Sequence, residues 1–73
     1  MDQKPDPERL RRLEEAVLQV PRLNRQIFLA ARVDDMSVAE IARRTGLSQR
    51  QVIKRLGRAI KVIGRHLRSS DAD

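Results

Sequence analysis

Between Arg43 and Arg68 the chain carries nine Lys or Arg residues and no Asp or Glu. Cations in such a run repel one another until an anion neutralises them, so the chemistry they offer is the binding of phosphate or carboxylate. Wound as a helix at about 100° per residue, Arg50, Lys54, Arg58, Lys61, Arg65 and Arg68 fall within an arc of roughly 80°. At a rise of about 1.5 Å per residue that row is about 27 Å long. Val52, Leu56, Ala59, Ile63 and Leu67 lie opposite and would seat the same helix on a core. Solvated helix faces usually mix signs to gain i, i+4 pairing, and this one does not. A long row of like charge, held from behind, matches a nucleic acid best.

The cations are concentrated rather than spread. Residues 1–42 sum to −1, residues 43–68 to +9 and residues 69–73 to −2, for a total of +6. Anion binding therefore belongs to the C-terminal third. The other residue types that could do chemistry are sparse. The chain has no cysteine, which excludes disulfides and thiolate metal sites. His66 is the only histidine and borders the apolar face, so no metal or cofactor is expected. Asp34 and Asp35 are adjacent, with no further ligand-type residue at hand, and read as a solvated turn. No nucleophile stands at a useful spacing from a base, so the chain is not expected to be an enzyme.

Four elements would position the basic row. With 73 residues the chain has room for one domain and one small core. Residues 1–6 read as an extended leader, 7–68 as the domain and 69–73 as an acidic tail. Asp6 is the expected N-cap of a first helix, with Pro7 at its first position. That helix runs to about Val20 and buries Leu10, Leu13, Val17 and Val20, spaced 3, 4 and 3 apart. Pro21 stops it and lies in the first turn of a second helix, to about Val33. Ile27 to Ala31 is apolar all round, which predicts a central helix with Phe28, the only aromatic residue, at the centre of the core.

Ser37 and Glu40 form an expected capping box for a short third helix ending near Thr45, with Val38, Ile41 and Ala42 inward. Gly46 supplies a left-handed helix end, and Leu47 packs inward. Ser48 and Gln51 form a second capping box, which opens the basic helix. No alternating apolar pattern and no hairpin turn occurs. The expected fold is all-α, with four helices, the last two a helix-turn-helix that carries a long basic recognition helix.

In that arrangement Arg50, Gln51 and Lys54, in the first two turns, reach base edges, where Arg suits guanine and Gln suits adenine. Arg58, Lys61, Arg65 and Arg68 lie farther along and are expected to meet phosphates or act by general attraction. Gly57 and Gly64 lie inside this helix, beside Ile53 and Ile60, where each costs roughly 1 kcal/mol relative to Ala. They serve either close packing of the second helix or a groove for a partner helix, made of Ile53, Gly57, Ile60 and Gly64.

The stretch from Val20 to Leu29, then Val33-Asp34, then Met36 to Ser48 and Val52, resembles region 4 of sigma-70-family sigma factors, most nearly the extracytoplasmic-function type. The block Ser37-Val38-Ala39-Glu40-Ile41-Ala42 followed by Gly46-Leu47-Ser48 carries most of the resemblance, which spans roughly residues 10–67. It implies a recognition helix in the major groove of a promoter −35 element. By position, Gln49, Arg50, Gln51 and Lys54 would face bases, and Arg43, Arg44, Ser48, Arg55 and Arg58 would face phosphates. It also implies a face that contacts the RNA polymerase β flap or an anti-sigma factor. Region 2, aromatic-rich in the family, is absent, so the chain is read as either a stand-alone region-4-like regulator or an excised domain. The polar leader and the acidic tail favour the former.

The expected function is sequence-selective binding of double-stranded DNA by a small transcription regulator, with a homodimer or polymerase as a further partner. The alternative is a protein-interaction module that binds RNA polymerase or an anti-sigma factor and mimics or displaces a sigma factor. Nine uncompensated cations favour the former. No apolar run approaches the roughly 20 residues of a membrane span, and Met1 to Pro7 is too polar for a signal peptide, so a cytoplasmic location is expected. Membrane-surface binding is disfavoured because the apolar face is needed for the core.

Overall fold

The computed structural model describes residues 6–71, with side chains to residue 68. The rest of the expected leader and the last two residues of the acidic tail lie outside the described residues. Four helices follow in order: α1 (Pro7–Leu18), α2 (Arg22–Arg32), α3 (Val38–Thr45) and α4 (Gln49–Asp71). No strand occurs among the described residues, and the fold is all-α.

Local chemistry sets the boundaries. The Asp6 carboxylate accepts from the Glu8 amide at 3.1 Å, with Pro7 opening α1. The helix ends at Leu18, two residues before Val20, because the Gln19 and Val20 amides turn back to the Ala16 and Val17 carbonyls in a tighter turn. Pro21 is the N-cap of α2 rather than part of its first turn; its carbonyl accepts from the Arg25 amide at 2.8 Å. In the loop after α2, Asp35 takes a left-handed conformation (φ 55°), which aspartate tolerates better than most residues. Asp34 and Asp35 are both exposed there. At its C-terminus α4 continues to Asp71, into the stretch read as a tail.

The central helix is α4, not α2 as the apolar run Ile27 to Ala31 suggests. It packs on α1, α2 and α3. Its apolar face seats two clusters in succession. Val52, with Leu56 at its edge, joins Ile27, Ile41 and Ala42 and fixes α3 and α2 to the first half of α4. Ala59 and Ile63 join Ala16 and Val20 and fix α1 to the second half.

Two expectations about the core are corrected. Leu10 and Leu13 are 46% and 40% exposed, because α1 meets α4 through Ala16 and Ala59, both fully buried. Leu13 shares the helical face of Val17 and Val20, but only the C-terminal turns of that face pack on α4, and Leu13 is left bordering open space. Phe28 is not the centre of the core. It is half-buried at the edge of the α1–α4 cluster, and Ile27, 1% exposed, fills the interior instead.

Candidate nucleic-acid interface

The helix-turn-helix is α3, a turn, and α4. Ser37 caps α3 through its hydroxyl, which accepts from the Glu40 amide at 3.1 Å. Gly46 stands at φ 79°, a conformation that costs glycine little, and its amide reaches the Ala42 carbonyl. Thr45 adds a stitch that the sequence reading missed. Its hydroxyl donates to the Ile41 carbonyl at 2.8 Å and accepts from the Leu47 amide at 3.2 Å. The turn is thereby fixed on both sides of the glycine.

The second capping box is made in both directions. Ser48 Oγ accepts from the Gln51 amide at 3.1 Å, and Gln51 Oε1 accepts from the Ser48 amide at 2.9 Å. This has a consequence for two assigned residues. A glutamine reads adenine with its carbonyl and its amide together, and the Gln51 carbonyl is already engaged. Ser48 likewise spends its backbone donor on the cap. Gln49, Arg50 and Lys54 are exposed on the first two turns.

Arg50, Lys54, Arg58, Lys61, Arg65 and Arg68 are all exposed, as a single row on the side of α4 away from Val52, Ala59 and Ile63. Arg55 does not share it. This residue is half-buried, and its Nη1 donates at 3.1 Å to Oδ1 of Asn24, the one buried polar residue among the described residues. It lies three residues from Val52 and four from Ala59, beside the core face, and that spacing was the signal that set it apart. No buried side-chain polar atom among the described residues lacks a partner.

Arg43 and Arg44, assigned to phosphates, both pair with Glu40. Arg44 Nε stands 2.8 Å from one carboxylate oxygen, and Arg43 bonds the other. The glutamate therefore faces these arginines instead of closing the first capping box. Hydrogen bonds from Arg44 and then Arg43 hold the Glu40 carboxyl below its usual range. The arginine side chains remain 64% and 74% exposed, so both stay open on their outer sides.

The strip Ile53, Gly57, Ile60 and Gly64 divides in two. Ile60 and Gly64 border a groove of about 1080 Å³ that runs between α1 and α2 with α4 as its floor. Leu13 and Leu18 form one wall and Phe28, Leu29 and Val33 the other. Arg25 and Arg32 lie along the α2 side and Glu14 along the α1 side. The spacing of Leu13 and the apolar run that holds Phe28 and Leu29 read as core, which hid the groove. Ile53 and Gly57 lie outside it. Neither glycine permits close packing of α2. A Cβ at Gly57 would meet nothing within 4 Å, and one at Gly64 only the end of Arg68 at 4.0 Å.

A tight, doubly capped helix-turn-helix whose second helix is cationic along its open face defines a DNA-binding domain of the helix-turn-helix class. Residues 10–63 match the family model for sigma-70, region 4, and the chain belongs to that family, whose helix-turn-helix domains bind DNA in transcription. No curated protein and no solved structure matches it. No helix among the described residues is long and apolar enough to cross a membrane.

Proposed function

We propose that this domain binds double-stranded DNA sequence-selectively as a small transcription regulator, reading a −35-like promoter element in the major groove with the first turns of α4. The observation that carries this reading is the row of six exposed cations on a helix anchored from behind, in a stretch without a single acid. The major groove is about 12 Å wide, less than half the length of the row. Only the early residues Gln49, Arg50 and Lys54 can therefore reach bases together, with Gln51 added if it releases its cap. Arg58, Lys61 and Arg65 then meet phosphates as the helix climbs out, and Arg43, Arg44, Ser48 and Arg55 hold the flank. Cytoplasmic DNA is the corresponding site of action.

The test is a duplex selected by the protein from a random pool, set against a scrambled one. Arg50→Ala and Lys54→Ala should each reduce the preference by roughly 1 to 3 kcal/mol for a lost base contact. Lys61→Ala and Arg65→Ala should weaken both duplexes equally. If the late pair changes the preference and the early pair does not, α4 docks in the opposite sense.

The apolar groove favours a second, compatible reading, in which the domain also docks a protein: the β flap of RNA polymerase, an anti-sigma factor or, in a homodimer, a second copy. A contiguous apolar concavity on a small domain marks such sites. Val33→Glu, at a position 72% exposed, should abolish capture of a flap fragment without unfolding the domain. Unchanged capture by the variant would place the docking outside the groove, and no capture by the wild-type chain would remove the flap from this reading.

A further inference from the structure

We propose that Ile53 reads the C5-methyl group of a thymine, between the polar readers Gln49 and Arg50; the inference rests on the DNA reading above. Ile53 lies in the second turn of α4 and is 59% exposed. It belongs to neither core cluster and does not line the groove, so nothing inside the domain accounts for an isoleucine there. Helical side chains lean toward the N-terminus. Ile53 therefore covers the turn of Gln49 and Arg50, and the positions that cover Ile53 are 56 and 57: Leu56 leans on the core, so the side chain that would shield Ile53 on the side of the basic row belongs to position 57. That position is glycine, with open space where a Cβ would stand. The glycine leaves the isoleucine bare on its outer side.

The resulting surface is an apolar knob among Gln49, Arg50 and Lys54. Major-groove edges offer donors and acceptors at every base pair, and a single apolar group, the thymine methyl. An isoleucine amid polar readers complements that group and no other feature of the groove. Burying one methyl group corresponds to about a four-fold change in affinity.

The experiment takes the duplex selected by the intact chain and replaces its thymines one at a time by deoxyuridine, which removes the methyl and keeps every hydrogen-bonding group. Competition anisotropy should show one position where the wild-type chain loses about four-fold in affinity. Ile53→Ala should bind the thymine and uracil forms of that duplex equally, at the wild-type affinity for the uracil form. Circular dichroism of the variant should match the wild type, since the position is exposed. A flat uracil scan, or a loss of the same size in Ile53→Ala, overturns the inference while a salt-sensitive preference for the selected duplex keeps the DNA reading intact. If no duplex is enriched and binding does not weaken with salt, both fail together.

Discussion

Replacing Ile27 by Ala should destabilise the domain more than replacing Phe28 by Ala, although phenylalanine is the larger side chain. Ile27 is 1% exposed and packs with Ile41, Ala42 and Val52 where three helices meet. Truncation removes three carbons, a transfer loss of about 2.4 kcal/mol at roughly 0.8 per carbon, and the cavity left behind raises this to roughly 3 to 5 kcal/mol. Phe28 rests one side on the Ala16, Val20, Ala59 and Ile63 cluster and turns the other to the groove. About half of a full burial is lost there, roughly 1.5 to 2.5 kcal/mol. A domain of this length holds roughly 4 to 11 kcal/mol in total, so Ile27→Ala removes a large share of it. At roughly 4 to 8 °C per kcal/mol, it should lower the melting temperature by at least about 12 °C. The volume-conserving Ile27→Leu should cost less than about 1.5 kcal/mol. With no Trp or Tyr in the chain, the helical circular dichroism signal is the appropriate readout for heat and urea unfolding. A Phe28→Ala cost equal to or above that of Ile27→Ala would mean that the groove is closed over Phe28 in solution, and would refute the reasoning.

Three further outcomes follow from the geometry. Affinity for duplex DNA should fall with salt at a logarithmic slope of roughly −5 if Arg43, Arg44, Arg55, Arg58, Lys61 and Arg65 each meet a phosphate, and the double variant Lys61→Ala, Arg65→Ala should reduce that slope by about two; a slope near zero, measured by fluorescence anisotropy, would reject DNA binding. Asn24→Ala removes the acceptor of Arg55 and should cost roughly 1 to 3 kcal/mol in urea unfolding, whereas an unchanged midpoint would mean that the Arg55 guanidinium is satisfied by water. The Glu40 carboxyl titrates below its usual value in the folded domain, so its stabilising effect is full above the unfolded carboxylate range and is lost as pH falls through the folded value. Melting temperatures of wild type and Glu40→Gln should therefore differ at neutral pH and converge in acid, and a difference that persists in acid would show that the ion pairs are not its source.

The α3–α4 unit was legible almost residue by residue, because each of its signals acts within four positions of itself. Ser37, Gly46, Ser48 and Gln51 act on their own backbone neighbours, and the row from Arg50 to Arg68 follows from helix geometry once α4 exists. One local signal was ambiguous. The sequence of Ser37 and Glu40 allows the reciprocal cap, but Arg43 and Arg44 stand one turn on and take the carboxylate.

By itself the sequence determined the helices, the cationic face and the family match, since periodicity, capping chemistry and the absence of acids over 26 residues need no knowledge of what lies far along the chain. Only tertiary structure decided which apolar residues are core and which are surface. Leu13 and Phe28 were read as buried, by spacing and by their place in an apolar run, yet α1 and α2 each pack on α4 and leave a groove between them, which both residues line. The Asn24–Arg55 bond spans 31 positions, and no local pattern announces a pair that depends on where two helices cross. The same crossing turns Ile60 into the groove and leaves Ile53 outside it, although seven residues on one helix place them nearly in line. Burial is a property of the neighbour that arrives, and the spacing of a helix's own residues fixes only the direction from which it can arrive.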